Sequence, residues 1–172
     1  MDSSGLGVTD PGLAPLVEKR ISAVIGALNE MVHGFDFARL LTLYYKAHCA
    51  GDDETKAKVL KWFRGEYATK TEARQELGVN IVITDDDWYE YLKLFACFLK
   101  QAGYAGMLIL IDELVNIYKI PNAITRQYNY EKILTMYNDA MQGKAQYLGF
   151  ILCGTPQCME DPRRGGYSYE AL

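Results

Sequence analysis

The chain has 172 residues, of which 49% are hydrophobic and 23% charged, so it is long enough and apolar enough for a folded domain with a real core. Its net charge of −4 argues against a general electrostatic attraction to nucleic acid or to anionic membranes, although a local basic patch stays compatible with it. No apolar run approaches the length of about 20 residues that spans a bilayer, and the N-terminus lacks the features of a signal peptide. We therefore expect a cytoplasmic protein without a membrane partner.

The first part of the chain has the sequence pattern of helices. Residues 1–12 are predicted to be a disordered tail, and residues 13–103 a helical region. Apolar residues recur there at helical spacing in three main stretches, at 13–32, 35–45 and 88–99, and shorter helices are predicted at 54–62 and 70–77. Residues 79–84 are rich in β-branched side chains, which favours either a short strand or an extended connection.

The last part, residues 104–172, changes in character. Residues 107–111 are five consecutive apolar residues, and residues 147–153 form a second apolar run, as expected for strands buried on both faces of a parallel sheet. An amphipathic helix lies between them at 130–141, with Asn129 as a candidate cap. The pattern predicts a βαβ unit that places the carboxyl ends of both strands at one edge of the sheet.

Two acids, Asp112 and Glu113, directly follow the first strand. Ligands bind at the carboxyl ends of strands in open α/β sheets, and successive side chains on a strand point in different directions. One acid could therefore face hydrated Mg²⁺ and the other a water molecule beside a phosphate. The element resembles the Walker B motif of P-loop ATPases, which implies Asp112 for magnesium, through water, and Glu113 for polarising the attacking water. The alternative is a buried strand that happens to meet a polar turn.

Thr155 and Gln157 follow the second strand, where a polar side chain could sense the γ-phosphate or orient the water. This position is similar to sensor 1 of the AAA+ superfamily, with Thr155 the stronger candidate. The alternative is that residues 154–156 are only the turn that leaves the strand.

Paired arginines, Arg163 and Arg164, lie in a loop followed by two glycines. They could act as an arginine finger in the site of a neighbouring subunit, or they could belong to a solvated surface loop. Arg126, before the crossover helix, is a further candidate for the finger.

The phosphate-binding loop G-x-x-x-x-G-K-[ST] does not occur in the sequence. Residues 65–71 end in Lys-Thr but have no glycine before the lysine and follow a helical pattern, so we reject them. We expect this loop upstream of Met1 and interpret the sequence as an internal fragment of a longer protein.

A family resemblance extends over most of the chain and is most specific from Asp86 onwards. It is carried by residues 88–92, 109–116, 130–134 and 154–157 with 161–164. These segments resemble a family of bacterial P-loop ATPases related to AAA+ and origin-recognition-like proteins, which includes the ATP-binding proteins of BREX phage-defence islands. The resemblance implies an α/β fold, with a truncated P-loop NTPase core and a large N-terminal helical insertion.

The resemblance also implies ATP and Mg²⁺ as cofactors of the full-length protein, self-association, and a role in phage defence or DNA transactions. The fragment alone is expected to be inactive. A second hypothesis is a non-catalytic helical interaction module, which the 13 tyrosines could support as interface residues. A phosphate-binding loop encoded upstream of Met1 would favour the ATPase.

Overall fold

The computed structural model describes residues 5, 10–28 and 30–169, and their contacts divide the chain into two units, Met1–Gln101 and Ala102–Leu172. The described part of the first unit contains α1 (Leu13–Leu28), α2 (Gly34–Ala50), α3 (Asp53–Phe63), α4 (Lys70–Leu77) and α5 (Trp88–Gln101). The described part of the second contains β1 (Met107–Ile111), α6 (Val115–Lys119), α7 (Ala123–Met141), β2 (Leu148–Leu152), α8 (Gln157–Glu160) and a 3₁₀ turn at Gly166–Ser168. No helix among the described residues is both long and apolar enough to cross a membrane.

The helical character predicted for the first unit is confirmed, and local side chains account for several helix ends. Asp52 and Thr69 cap α3 and α4 by accepting hydrogen bonds from the main-chain N–H groups three residues on. The first helix is shorter than predicted, because it ends at Leu28 and not near Val32. His33 then adopts a left-handed φ of 59°, which turns the chain into α2.

The core of the first unit forms around large, fully buried side chains, with Trp62, Tyr91 and Phe37 the largest. The indole Nε1 of Trp62 donates to the carbonyl oxygen of Ile81 at 2.8 Å. Residues 79–84 form an extended connection with no strand pairing, so this bond ties that connection to α3. The β-branched side chains there serve the core and not a sheet, which settles the alternative left open by the sequence.

The sheet of the second unit confirms the predicted parallel pairing of the two apolar runs. β1 and β2 pair in register from Met107 opposite Leu148 to Ile111 opposite Leu152. The prediction that both faces of the strands are buried is wrong for the described structure, because Leu108 and Leu110 are 59% and 66% exposed. The sheet has only two strands in the described part of the chain, and nothing there covers this face of β1.

The crossover helix α7 begins at Ala123, well before the predicted start. Its cap is Asn122, whose side chain accepts a hydrogen bond from the N–H of Thr125 at 3.0 Å, and Pro121 precedes it. Asn129, the predicted cap, lies inside the helix and donates from its side-chain amide to the carbonyl oxygen of Thr125 at 2.8 Å. An Asn side chain can cap a helix or bond back to the preceding turn, so residue type alone did not locate the start.

Candidate functional site

The main chain of Cys153 bonds to the first strand on both sides of the two acids. Its N–H donates to the carbonyl oxygen of Ile111 at 2.8 Å, and its own carbonyl oxygen accepts from the N–H of Leu114 at 3.0 Å. In a regular parallel ladder, one residue lies between two such hydrogen bonds. Here two residues, Asp112 and Glu113, lie between them. The extra residue makes a bulge, and Glu113 takes the left-handed conformation with φ 56°. The acids therefore lie at the carboxyl edge of the sheet but outside its regular pairing.

Asp112 is exposed, and its Oδ1 accepts a hydrogen bond from the N–H of Glu113 at 2.7 Å. Its Oδ2 receives no hydrogen bond from the residues that the structure describes. Mg²⁺ keeps several water ligands and is commonly held by one or two carboxylates together with substrate phosphates. The described residues contain no cluster of three or more potential ligands. Asp112 therefore fits a water-mediated Mg²⁺ site of this open kind, and it does not fit a closed cage of protein ligands.

Glu113 is exposed and is held by Asn116. The side-chain amide of Asn116 donates to Oε2 of Glu113 at 3.0 Å, and its main-chain N–H donates to the carbonyl oxygen of Glu113 at 2.9 Å. A left-handed φ is uncommon for a residue with a Cβ, and such strained conformations occur often at functional sites. Asn116 is absent from the candidates drawn from the sequence. Its signal was an amide three residues after an acid, at the start of a helix.

The segment after β2 packs tightly against the turn after β1 at Gly154. A Cβ on Gly154 would lie 2.7 Å from the Sγ of Cys158 and 3.0 Å from the Cβ of Leu114, so only glycine fits without a shift. The segment leaves the sheet at the same edge as Asp112. Thr155 is exposed, and only its carbonyl oxygen is bonded, accepting from the N–H of Cys158 at 3.0 Å.

Gln157, the second candidate after β2, is the first residue of α8 and is also exposed. The side chains of Thr155 and Gln157 make no hydrogen bond to other described residues. Both are therefore available to a ligand at this edge.

The three candidate arginines separate into two groups. Nη1 of Arg126 and Nη2 of Arg164 donate to the same carbonyl oxygen, that of Ile120, at 2.7 and 3.1 Å. Arg163 is exposed, and its guanidinium makes no hydrogen bond or salt bridge to the described residues. The fold therefore brings Arg126 and Arg164 together and leaves Arg163 apart.

Asp161 organises the loop that carries Arg163 and Arg164. Its Oδ1 accepts hydrogen bonds from the main-chain N–H groups of both arginines at 2.9 Å. These two bonds hold the pKa of the Asp161 carboxyl below its usual value. The loop is thus fixed by its own hydrogen bonds, while Arg163 within it stays exposed to solvent.

Tyr130 anchors the crossover helix to the same loop. Its hydroxyl lies 3.0 Å from the carbonyl oxygen of Cys158 and 3.2 Å from that of Arg164, and can donate to either. Burial raises the pKa of this phenol, so it stays a hydrogen-bond donor at neutral pH. The sequence pattern indicated Tyr130 only as a residue on the apolar face of the helix.

A parallel strand pair joined by a helical crossover makes the second unit an α/β unit, and the two acids lie at its carboxyl edge, where open α/β sheets commonly bind ligands. The chain belongs to the BrxC/BrxD family: the family model described as "BREX system ATP-binding protein BrxC/D" matches residues 1–172. This finding confirms the resemblance drawn from the sequence and supports a nucleotide as ligand. No curated protein and no solved structure gave a significant match to the chain.

Proposed function

We propose that this chain supplies the Mg²⁺-handling and water-handling part of an ATP-hydrolysing site in a BREX phage-defence protein. The observation that carries the proposal is the bulge after β1, which presents two exposed carboxylates, Asp112 and Glu113, at the carboxyl edge of a parallel sheet. The phosphate-binding loop, which the sequence lacks, would come from outside these 172 residues in a P-loop core of AAA+ type.

The two acids take different roles in this proposal. Asp112 would hold Mg²⁺ through water with its Oδ2, to which no described residue donates a hydrogen bond, and the ion when bound would neutralise charge on the phosphates. Glu113 would accept a proton from the attacking water with the carboxylate that Asn116 orients. Thr155, or in second place Gln157, would hydrogen-bond the γ-phosphate or the water, because neither side chain is hydrogen-bonded to another described residue and both residues follow the carboxyl end of β2.

Of the three arginines, Arg163 is the best candidate for a finger that reaches a neighbouring subunit's site. A finger needs an exposed guanidinium that is not already bonded within its own chain, and Arg126 and Arg164 are both bonded to Ile120. This role requires self-association. A role in DNA transactions rests on the family resemblance alone, since the net charge of −4 gives it no electrostatic support.

A non-catalytic interaction module remains the second candidate, and one observation favours it. The second unit exposes large apolar side chains on β1 and on α7, among them Leu110, Ile124 and Met141, which are 66%, 80% and 71% exposed. Leu108 and Leu110 share one exposed face of β1, and a contiguous exposed apolar patch is a common mark of a surface that contacts another protein or another part of the same protein. This alternative predicts binding partners but no dependence of any activity on Glu113.

The test is ATP binding by calorimetry and phosphate release in the full-length protein. We expect Glu113→Gln to keep ATP binding and to slow hydrolysis by about 100-fold or more, the scale of a lost general base. Asp112→Ala should weaken Mg²⁺-dependent binding itself. Glu160→Gln, which neutralises another exposed carboxylate of the second unit, is the matched control and should leave both quantities unchanged.

Two outcomes would contradict the proposal. Hydrolysis at the wild-type rate in Glu113→Gln would remove the assignment of the catalytic base. Micromolar binding of Mg·ATP by residues 1–172 alone, lost in Asp112→Ala, would show that the phosphate-binding loop is not needed from elsewhere.

A further inference from the structure

We infer that Arg126 and Arg164 together form a binding site for a terminal phosphate group, at the carboxyl end of α6. Both guanidinium groups lie within hydrogen-bonding distance of one oxygen atom, the carbonyl of Ile120, and so lie side by side. Each uses one of its five N–H donors there, and the remaining donors stay available to a ligand.

The two positive charges have no ion-pair partner in the part of the chain that the structure describes. Neither arginine forms a salt bridge with a carboxylate in the described residues. Asp161, the acid of the same loop, uses Oδ1 for the two main-chain N–H groups, and its Oδ2 lies 3.4 Å from the hydroxyl of Tyr118. Two adjacent cations that are partly shielded from water repel each other, and an anion placed between them relieves this repulsion.

The site is built from fixed parts. The ring of Tyr118 lies 5.4 Å from Cζ of Arg164, a cation–π contact that orients the guanidinium. Both arginines are only partly exposed, and the hydroxyl of Tyr130 holds the main chain of Arg164. The donors are therefore positioned before a ligand arrives, which reduces the entropy lost on binding.

The chemistry of the donors favours a terminal phosphate. A terminal phosphate carries more negative charge than a phosphodiester and offers three oxygens, which suits two guanidinium forks. The site lies at the carboxyl end of α6 and Glu113 precedes the amino end, so the length of this five-residue helix, roughly 7 Å by its rise, lies between them. It is thus separate from the acidic edge and does not rest on the proposed ATPase function.

The experiment is calorimetric titration of the chain with sodium pyrophosphate, with sodium chloride holding the ionic strength constant. We expect saturable binding by the wild type, at least about tenfold weaker binding by Arg126→Gln and by Arg164→Gln, and unchanged binding by Lys119→Gln. Lys119 is exposed and adjacent to Ile120, so its variant removes one nearby charge without touching the pair. Asp112→Ala should bind pyrophosphate like the wild type, which separates this site from the proposed ATP site.

Several results would overturn the inference. These are no saturable binding by the wild type, equal loss in Lys119→Gln, or unchanged binding in both glutamine variants. If the two arginines had only a structural role, their glutamine variants would have a lower Tm in chloride, and pyrophosphate would change the Tm of the variants and of the wild type by the same amount. Circular dichroism shows whether the glutamine variants fold. If one does not, Arg126→Lys and Arg164→Lys replace them, because lysine keeps the charge but lacks the two-pronged guanidinium. Wild-type affinity for pyrophosphate in both lysine variants would contradict the inference. Equal or tighter binding of a short single-stranded DNA, lost in the same variants, would reassign the site to phosphodiesters.

Discussion

Asn116 holds Glu113 at two points, with its side-chain amide 3.0 Å from Oε2 and its main-chain N–H 2.9 Å from the carbonyl oxygen. One residue thus fixes both the backbone turn and the direction of the carboxylate. In the proposed site, this places Asn116 as a positioning residue for the base.

We therefore predict that Asn116→Leu in the full-length protein lowers kcat for ATP hydrolysis by about tenfold, since misplacing a catalytic group is costly even when it is still present. The KM for ATP should change little, because the amide does not contact the nucleotide in this proposal. Steady-state phosphate release measures both constants. Asn129→Leu, on α7, is the control, and an equal loss of kcat there would show a general effect on the fold.

The left-handed backbone of Glu113 gives a prediction about stability. Glu113→Ala and Glu113→Gly both remove the carboxylate and differ only in a Cβ, which is unfavourable at φ 56°. We expect the glycine variant to be more stable by about 1 kcal/mol, because glycine adopts this conformation without steric penalty. Urea unfolding of the two variants measures the difference. Equal stabilities would mean that Glu113 is not left-handed in solution.

Gly154 predicts a steric effect. In Gly154→Ala the new Cβ would lie 2.7 Å from the Sγ of Cys158 and 3.0 Å from the Cβ of Leu114. Overpacking of this kind destabilises by about 1–3 kcal/mol. Gly26→Ala is the control, since nothing lies within 4 Å of its added Cβ and alanine favours helices. Thermal unfolding should show a lower Tm for the first variant only, and an unchanged Tm there would contradict the packing.

For two buried tyrosines of the first unit, we predict that replacement by phenylalanine has opposite effects on stability. The hydroxyl of Tyr67 donates to Oε2 of Glu76 at 2.6 Å, whereas the buried hydroxyl of Tyr91 has no hydrogen-bond partner among the described residues. Tyr67→Phe should destabilise by about 1 kcal/mol, and Tyr91→Phe should be neutral or stabilising by a similar amount. Chemical denaturation compares them. A clear loss in Tyr91→Phe would indicate a partner for its hydroxyl.

The same tyrosines predict how stability depends on alkaline pH. Burial is the main cause that raises the pKa of both Tyr67 and Tyr91 in the folded state. In the unfolded chain the phenols ionise near pH 10, so above that pH the unfolded state has lost protons that the folded state retains. The stabilising contribution is therefore complete below about pH 10 and is lost as the pH rises further.

Urea unfolding between about pH 8 and 11 measures this slope. Tyr91→Phe should flatten this slope in part, because it removes one of the tyrosines whose pKa is raised in the folded state. Tyr104 is 63% exposed, and Tyr104→Phe serves as the comparison that should leave the slope in place. An identical slope in Tyr91→Phe and in the wild type would contradict the assignment.

The sequence by itself determined the parallel pair of β1 and β2, the edge that carries Asp112, and the helical nature of residues 13–28 and 88–101. These features follow from local patterns. Unbroken apolar runs joined by one helix favour a parallel pair, and apolar residues at helical spacing give a helix a face to bury. Some of these elements, at residues 88–92 and 109–116, also carried the family resemblance that the comparison confirmed.

Only the tertiary structure shows which residues that are distant in the sequence come into contact. Trp62 bonds to Ile81 and makes residues 79–84 an extended connection, and Arg126 meets Arg164 at the carbonyl of Ile120. The left-handed turn at Glu113 likewise follows from bonds that Cys153 makes to both sides of it. Residue spacing encodes the periodicity of a single element. Contacts between residues that are distant in the sequence depend instead on the path of the backbone between elements, to which many other distant contacts contribute.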